Sequence, residues 1–334
     1  MNKQSFFSSK ATAIAPSNIA FTKYWGKKDE TLRLPLHGSI SMTLSNLLTT
    51  TTVEFLDKYI KDQVIINGGS VEAGEAERVM KHLDRIRKMA GINLKAKMVS
   101  NNNFPSGTGL ASSASGFAAL TLAASTAAGL HLAEKELSIL ARQGSGSASR
   151  SIPGGFVEWL DGDTSDTSYA VQIFPPEYWK ITDVVVIVSS GKKEISSSVG
   201  QQSASSSPFL KVRLSRMKEK NKILKGLIKN RDFKKFGELI EAEALEFHTI
   251  TLTQIPPLIY WLPTTVMLMK LVQKWRKNGL KVYFTVDTGQ DIHLICEQKN
   301  VGKVRAKLKK LEEVKNIIVN TPGEGIRLTK RHLF

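Results

Sequence analysis

The residue types that could do chemistry are concentrated in four short segments, and the first has the features of a phosphate loop. In the run Asn103-Phe-Pro-Ser-Gly-Thr-Gly-Leu-Ala-Ser-Ser-Ala114, two glycines precede two serines that open a predicted helix. Glycine lets the backbone approach a ligand closely, and the free N–H groups of a helix N-terminus attract phosphate. The hydroxyls of Ser112 and Ser113 could bind phosphate oxygens or Mg²⁺. The structural alternative is a capped helix after a flexible turn, and the run lacks the Gly-Lys-Ser/Thr ending of a Walker A loop.

The second segment, Ala15-Pro-Ser-Asn-Ile-Ala-Phe-Thr-Lys-Tyr-Trp-Gly-Lys-Lys-Asp29, places a lysine at the end of an apolar strand. Lys23 is followed directly by Tyr24, Trp25 and Gly26. It is therefore either an edge lysine beside an aromatic core cluster or a cation that holds an anionic substrate.

In the third segment, Gln143-Gly-Ser-Gly-Ser-Ala-Ser-Arg-Ser-Ile-Pro-Gly-Gly-Phe-Val-Glu-Trp159, serines and glycines surround a single arginine. The planar guanidinium of Arg150 beside hydroxyl groups suits bidentate capture of a carboxylate or a phosphate. A surface arginine in a flexible loop is the alternative that the segment leaves open.

The fourth segment, Phe284-Thr-Val-Asp-Thr-Gly-Gln290, ends a predicted strand at Asp287. An aspartate in this position often makes an Asx turn. Asp-Thr-Gly is also typical of aspartic proteases, but their chemistry needs two such aspartates that share a proton. The sequence holds one copy, so this class is disfavoured.

Strands and helices that alternate irregularly must position these segments, and this mixture predicts an α+β protein. Predicted strands cover 12–22, 39–55, 94–99, 156–160, 170–174, 183–188, 282–286, 292–296 and 317–319. Predicted helices cover 75–90, 112–128, 134–142, 264–277 and 301–311, with further helices from the Ser207-Pro208 start to about residue 248. The serine-rich stretch 196–207 is predicted to be a mobile loop, and 282–296 a hairpin.

The literal patterns resemble the diphosphomevalonate decarboxylase family of the GHMP kinase superfamily. The shared patterns are Pro-x-x-x-Gly-Leu-x-Ser-Ser-Ala, Asn-Ile-Ala-x-x-Lys-Tyr-Trp-Gly-Lys with Leu34-Pro35-Leu36, Gly-Ser-Gly-Ser-Ala-x-Arg-Ser, and a close variant of Phe-Asp-x-Gly. Weaker likenesses occur at Phe247-His248, Pro256-Pro257, Tyr260 and Thr321-Pro-Gly-Glu-Gly325. The resemblance therefore spans the chain from residue 15 to residue 325.

The resemblance implies a two-domain GHMP kinase fold, with a ribosomal protein S5 domain 2-like N-terminal domain and a ferredoxin-like C-terminal domain. We place these domains at residues 1–188 and 189–334. The resemblance also implies an enzyme of the mevalonate pathway that uses ATP and Mg²⁺ to convert mevalonate 5-diphosphate into isopentenyl diphosphate, ADP, phosphate and CO₂. Relatives of this kind are often homodimers, so a homodimer is expected.

The resemblance assigns a role to individual residues in three groups. The catalytic residues are Asp287, Lys23 and Arg150, of which Arg150 holds the substrate carboxylate. The substrate-binding residues are Tyr24, Lys27, Ser145, Ser147 and Ser198. The ATP-binding residues are Pro105, Gly107, Gly109, Leu110, Ser112 and Ser113, and Ser113 is also the expected Mg²⁺ ligand.

Two departures from the family pattern leave the length of the substrate's phosphate chain open. His37-Gly38 stands where the family usually has Asn-Asp, and some relatives carry a phosphate-binding arginine at the position of Ser198. A mevalonate 5-phosphate decarboxylase is therefore the main alternative. A mevalonate 3-kinase is a weaker one, because such kinases tend to lack the lysine–aspartate pair that this chain retains.

Bulk composition restricts the remaining classes. The 334 residues are 41% hydrophobic, and the net charge is +17. The run 211–235 holds eleven Lys or Arg residues against two acids, which suggests a solvated helix face, attraction of anionic small molecules, or a basic nucleic-acid-binding protein. Zinc-finger spacing and RNA-recognition motifs are absent, so no nucleic-acid partner is expected. No apolar run reaches the ~18 residues of a membrane span, and a single cysteine fits a reducing cytoplasmic location.

Overall fold

The computed structural model describes residues 10–105, 109–189, 191 and 195–334. These residues form two large sheets, a two-stranded ribbon and eight α-helices. The strands are β1 Lys10–Ala20, β2 Lys27–Asp29, β3 Leu34–Pro35, β4 Ser39–Leu56, β5 Gln63–Ile66, β6 Gly69–Ser70, β7 Lys95–Asn102, β8 Phe156–Trp159, β9 Ala170–Phe174, β10 Ile181–Ile187, β11 Val282–Thr285, β12 Ile292–Glu297, β13 Asn316–Asn320 and β14 Arg327–Thr329. The helices are α1 Ala73–Ala90, α2 Ser112–Ala127, α3 Glu134–Gly144, α4 Ser197–Gly200, α5 Leu210–Asn230, α6 Phe233–Thr253, α7 Pro263–Lys277 and α8 Val301–Leu308.

The first sheet is built around the long strand β4. β4 pairs with β8 near its N-terminal end and with β7 along its C-terminal part, and β1 runs antiparallel beside both parts. β14, from late in the chain, pairs with β1 through Thr12 and Thr329. This arrangement carries the second segment to the end of β1 and the third segment to the start of β8.

Helices α1, α2 and α3 pack on this sheet and form the first hydrophobic core. α2 contributes the fully buried Ala119, Ala123 and Ala124, whose small side chains let the helix lie close to the strands. Its N-terminal end is tied to β1, because the Ser17 hydroxyl donates to the Leu110 carbonyl at 2.7 Å. The start of α2 is therefore fixed beside the end of β1.

The second sheet has the order β11-β12-β10-β13 and is covered on both faces. One face packs against α7 and α8 through Leu268 and Val304. The other face packs against α5 and α6, in a core that also contains Ile19 and Met42 of the first sheet. This shared core joins the two sheets and brings the ends of β1 and β11 toward each other.

The predicted α+β class is confirmed, and most predicted elements are present. The helix expected at 75–90 is Ala73–Ala90, and Gly91 ends it with a φ of +65°. The expected hairpin is the β11–β12 pair. β10 pairs in the second sheet and β14 in the first, and the division at residue 188 stays a prediction.

The prediction of a mobile loop at 196–207 is wrong, and the structure describes every residue of this stretch. This stretch forms α4 followed by a 3-10 helix, Gln201–Ser206, and α5 begins at Leu210 rather than at Ser207-Pro208. Ala204 is buried in a cluster with Trp25 and Phe247. Local serine content suggested a loop, but burial against the aromatic cluster orders the segment.

Candidate active site

The structure brings Lys23 and Asp287 together at the junction of the two sheets. Lys23 follows β1 and Asp287 follows β11, and Lys23 is 2% exposed. The Lys23 ammonium donates to Asp287 Oδ1 and, at 2.6 Å, to the carbonyl of Ala20. Asp287 keeps some exposure, so the pair presents one carboxylate edge to the space in front of it.

Neighbouring charges keep the Asp287 carboxylate ionised. Burial alone would raise the pKa of Asp287, but Lys23, His293 and Arg150 outweigh it and lower that pKa. Burial lowers the pKa of Lys23, and the contact with Asp287 opposes this shift. An ionised aspartate beside a buried ammonium can accept a hydrogen bond or a proton from a substrate hydroxyl.

His293 is a charged neighbour that the sequence reasoning missed. It lies on β12, and its Nδ1 is 2.9 Å from Oδ2 of the buried Asp183. Burial opposes protonation, but Asp183 dominates and raises the pKa of His293. In its protonated form this histidine adds positive charge near Asp287, and it carries no local motif in the sequence.

Arg150 is buried without a carboxylate partner among the residues that the structure describes. It lies in the 3-10 helix Gly146–Ser151. Its Nη1 donates to the Ser39 hydroxyl at 2.7 Å and its Nε to Asn18 Oδ1 at 3.3 Å. Burial lowers its pKa to about 10, so it remains a cation at neutral pH. Neutral partners orient this guanidinium and leave its charge available to a ligand.

Tyr24 and the Gly-Ser segment form one wall of the same region. A Cβ placed on Gly146 would lie 2.8 Å from the Tyr24 ring, so this close approach requires glycine. The Tyr24 hydroxyl is buried and has no hydrogen-bond partner among the described residues. Ser145 Oγ lies 3.3 Å from Ser113 Oγ, which links this wall to the start of α2. Ser147 is half-buried in the same segment.

The described part of the predicted phosphate loop touches the turn that carries Asp287. Gly109 has a φ of +112°, and a Cβ placed on it would lie 2.5 Å from Gly289 Cα. Leu110 is buried and Pro105 is exposed, while Gly107 lies outside the described residues. The two glycines therefore allow backbone contact between the loop and the Asp-Thr-Gly turn.

The N-terminus of α2 is suited to an anion. In the described part of the chain no side chain caps it, and its first turn contains no acid. Ser112 is half-buried and Ser113 is exposed, so both hydroxyls can reach a ligand at this end. A helix N-terminus of this kind favours phosphate, and a serine hydroxyl can join the oxygen ligands of Mg²⁺. The residues present therefore fit a nucleotide phosphate with its metal ion.

The remaining predicted substrate residues are Lys27 and Ser198. Lys27 has a buried side chain, and its ammonium pairs with Glu30. Ser198 is half-buried on α4. Its neighbour Ser197 is hydrogen-bonded to Thr288, which follows Asp287. The structure thus places α4 against the aspartate turn, with Ser198 near rather than in the central pair.

Two further arginines, which the sequence reasoning also missed, lie next to the Gly-Ser segment. Arg33 Nε donates to the Gln143 carbonyl and Arg78 Nη2 to the Gly144 carbonyl, both at 3.2 Å. Among the described residues neither forms a salt bridge, and burial together with Arg33 lowers the pKa of Arg78 to about 10. These two arginines, which donate to consecutive carbonyls just before Ser145, are a candidate second anion-binding position.

Both parts of the chain match models of one protein family. Residues 15–170 match the diphosphomevalonate decarboxylase-like N-terminal domain. Residues 183–327 match the mevalonate 5-diphosphate decarboxylase C-terminal domain. Curated relatives include the diphosphomevalonate decarboxylase of Candida albicans, 38% identical over 90% of this chain and 88% of that protein. The diphosphomevalonate decarboxylase of Rattus norvegicus is 36% identical over 89% of this chain and 79% of that protein.

Solved structures agree with the sequence matches. Mevalonate diphosphate decarboxylase from Staphylococcus aureus is 38% identical and superposes with a TM-score of 0.91 over 96% of this chain and 98% of that one. A structure of MDDEF in complex with MVAPP, AMPPCP and magnesium is 37% identical, with a TM-score of 0.91 over 96% and 99% of the two chains. The chain, with its paired lysine and aspartate beside the phosphate loop, belongs to the diphosphomevalonate decarboxylase family.

Proposed function

We propose that this protein catalyses the ATP-dependent decarboxylation of mevalonate 5-diphosphate to isopentenyl diphosphate. The observation that carries the proposal is the Lys23–Asp287 pair, held where the Asp-Thr-Gly turn meets Gly109 of the phosphate loop. A substrate hydroxyl at Asp287 would lie close to a phosphate bound at the start of α2. The ligand-bound relative, a complex with MVAPP, AMPPCP and magnesium, supports the same pair of substrates.

The first step is phosphoryl transfer to the tertiary 3-hydroxyl. Asp287 accepts the proton of this hydroxyl while its oxygen forms a bond to the γ-phosphorus of ATP and the bond to ADP breaks. Mg²⁺, when bound at the phosphates, neutralises negative charge that develops on the transferring group. Lys23 keeps Asp287 ionised and oriented, so it acts on the hydroxyl through Asp287.

The second step converts the phosphorylated intermediate into an alkene. The 3-phosphate leaves with the electron pair of the C–O bond, because phosphate is a far better leaving group than hydroxide. The bond to the carboxylate carbon then breaks, its electron pair forms the double bond, and CO₂ is released. Arg150 orients the substrate carboxylate, and its lack of a carboxylate partner among the described residues supports this role.

Arg33 and Arg78 favour the 5-diphosphate over the 5-monophosphate as substrate. Ser198 cannot supply the phosphate-binding cation that some relatives have at its position. The two arginines beside Gln143 and Gly144 provide unpaired positive charge at the same wall as Tyr24. A second phosphate group would find its counter-charge there.

The test is incubation with ATP, Mg²⁺ and, in separate reactions, mevalonate, its 5-phosphate and its 5-diphosphate. We expect ADP, phosphate and CO₂ in equal amounts with the 5-diphosphate alone. Equal or faster CO₂ release from the 5-phosphate would establish the monophosphate decarboxylase instead. ADP without CO₂ would establish a 3-kinase and refute the proposal.

The remaining partner and location assignments are also proposals. Family membership supports a homodimer, which light scattering of the purified protein would test. The single buried cysteine, Cys296, supports a reducing, cytoplasmic location. Throughout the described ranges, every helix is too short or too polar to cross a bilayer. We expect no nucleic-acid partner, and salt-sensitive DNA binding without ATP turnover would contradict that expectation.

A further inference from the structure

A second buried ionic cluster holds the backbone on both sides of Lys23. Glu243 on α6 accepts a hydrogen bond from the Lys23 N–H at 2.9 Å, through its Oε1. Arg213 on α5 donates to the Lys23 carbonyl, also at 2.9 Å, through its Nη2. The same two side chains form an ion pair with each other. One arginine–glutamate pair is therefore hydrogen-bonded to both peptide groups that flank Lys23. We call these two hydrogen bonds the grip on Lys23.

The pair is buried and reinforced by two further charges. Arg213 is 1% exposed and the Glu243 side chain 0%. Lys220 binds the second oxygen of Glu243, and Glu246 binds both Lys220 and Arg213 at 2.8 and 3.2 Å. Burial would raise the pKa of Glu243, but Arg213 and Lys220 lower it to about 2. Glu243 is thus ionised at neutral pH, and the cluster joins the two helices α5 and α6.

Helix α5 also supports the position of Arg150. Asn221 on α5 donates to the Gly38 carbonyl at 2.9 Å. Gly38 precedes Ser39, whose hydroxyl accepts from Arg150. Lys23 and Arg150, which lie beside the first sheet, are therefore connected by hydrogen bonds to helices that pack on the second sheet.

We propose that Arg213 and Glu243 are positioning residues that hold Lys23 against Asp287, so that α5 and α6 set the geometry of the reacting pair. This inference rests on the proposed function only for the reaction used to read it out. Both residues contact the backbone of Lys23, so their effect on the reaction passes through Lys23. A displacement of about 1 Å at a reacting group costs on the order of 100-fold in rate.

Three variants separate positioning from folding. Glu243→Gln removes the charge but keeps an acceptor for the Lys23 N–H. The double variant Arg213→Met with Glu243→Met removes the whole grip without leaving a buried unpaired charge, which protects folding. Glu246→Gln is the matched control, because Glu246 binds the same two cations but makes no hydrogen bond or ion pair to Lys23.

We expect kcat to fall about 100-fold in the double variant, with the KM for ATP unchanged and the protein folded by circular dichroism. The loss should be smaller in Glu243→Gln and absent in Glu246→Gln. A kcat in the double variant equal to wild type, or one that falls only in proportion to the unfolded fraction, would overturn the proposal.

A pH titration gives a second readout that a purely structural role would not move. Glu243 is one of the charges that raise the pKa of Lys23 against the dominant effect of burial. The charged or titratable groups that act on or respond to Lys23 are Asp287, Glu243, Arg150, His248 and His293. The ¹³Cε resonance of Lys23, assigned by its absence in Lys23→Arg, should titrate at lower pH in Glu243→Gln than in wild type or Glu246→Gln.

The resonance reports on Lys23 whether or not mevalonate 5-diphosphate is the substrate. Wild-type protein that releases no CO₂ would refute the proposed function, while the shifted titration would still show that Glu243 acts on Lys23. Identical titrations in Glu243→Gln and Glu246→Gln would refute the action of Glu243 on Lys23 even if CO₂ release is normal.

Discussion

Two buried arginines near Lys23 differ in the partners that hold them. Arg150 donates to the neutral groups of Ser39 and Asn18. Arg213 donates to the carboxylates of Glu243 and Glu246 and to a backbone carbonyl. A buried charge without a counter-charge is costly, so it persists where a ligand completes it. We therefore expect Arg150 to bind an anionic ligand, whereas Arg213 is held by carboxylates of the protein itself.

The largest expected effect comes from removing the carboxylate of the Lys23–Asp287 pair. Asp287→Asn should lower kcat by about 10³-fold or more, because the amide cannot accept the hydroxyl proton. The measurement is CO₂ release under single-turnover conditions. Asp163→Asn, which alters an exposed aspartate paired with Lys28, is the control and should leave the rate unchanged. Near-normal turnover by Asp287→Asn would remove it from the mechanism.

The Glu243 cluster should instead affect how the free energy of unfolding depends on pH. The pKa of Glu243 in the folded protein is about 2, against an ordinary value of 4.5. Because the pKa is lower in the folded protein than in the unfolded chain, the ionised carboxylate of Glu243 stabilises the fold. This stabilisation is complete above pH 4.5 and is lost as pH falls toward 2. Its loss amounts to about 3 kcal/mol of unfolding free energy.

Urea unfolding of wild type and Glu243→Gln between pH 6 and pH 2.5 measures this effect. The wild-type protein should lose more stability on acidification than the variant does. The same acid dependence in both proteins would show that Glu243 is not the group that titrates.

The contrast between ligand-binding and supporting arginines can be tested directly with matched substitutions. Arg150→Lys should lower kcat/KM about 100-fold, because the single ammonium cannot reproduce the fork that orients a carboxylate. Arg142, fully buried, donates to the carbonyls of Leu32 and Ser165. Arg142→Lys should lower Tm and leave kcat/KM close to wild type. The opposite pattern would reverse the two assignments.

A smaller effect is expected at the second anion-binding position. Arg33→Ala should raise the KM for the 5-diphosphate about 10-fold, because it removes one charge-assisted hydrogen bond to the substrate. Steady-state kinetics with the diphosphate and the monophosphate measure it, with Lys28→Ala as the control cation. An equal rise in both KM values would show that Arg33 does not bind the terminal phosphate.

The sequence predicted best the features that depend on neighbouring residues. The small residues of α2 and the Asp-Thr-Gly turn of the β11–β12 hairpin have local signatures, and both are present. The sequence also singled out Lys23 and Asp287, which the structure brings into contact, while the roles of these residues and of Arg150 stay predictions. Residue type and turn chemistry were sufficient there.

Long-range contacts were out of reach of the same reasoning. Glu243 lies 220 residues from Lys23, and Arg213 lies 190 residues from it. Both looked like ordinary members of charged helices, since only tertiary packing places them at the Lys23 backbone. The serine-rich stretch before α5 was misread for the same reason, because its order comes from Ala204 packing near Trp25 rather than from its own composition.

The central claim is that the 3-hydroxyl oxygen is phosphorylated at Asp287 and then leaves as phosphate. The most direct measurement uses mevalonate 5-diphosphate labelled with ¹⁸O at the 3-hydroxyl, with ATP and Mg²⁺, and mass spectrometry of the products. We predict that the label appears quantitatively in the released inorganic phosphate, together with one CO₂ per ADP. Label found in water, with unlabelled phosphate, would contradict the account.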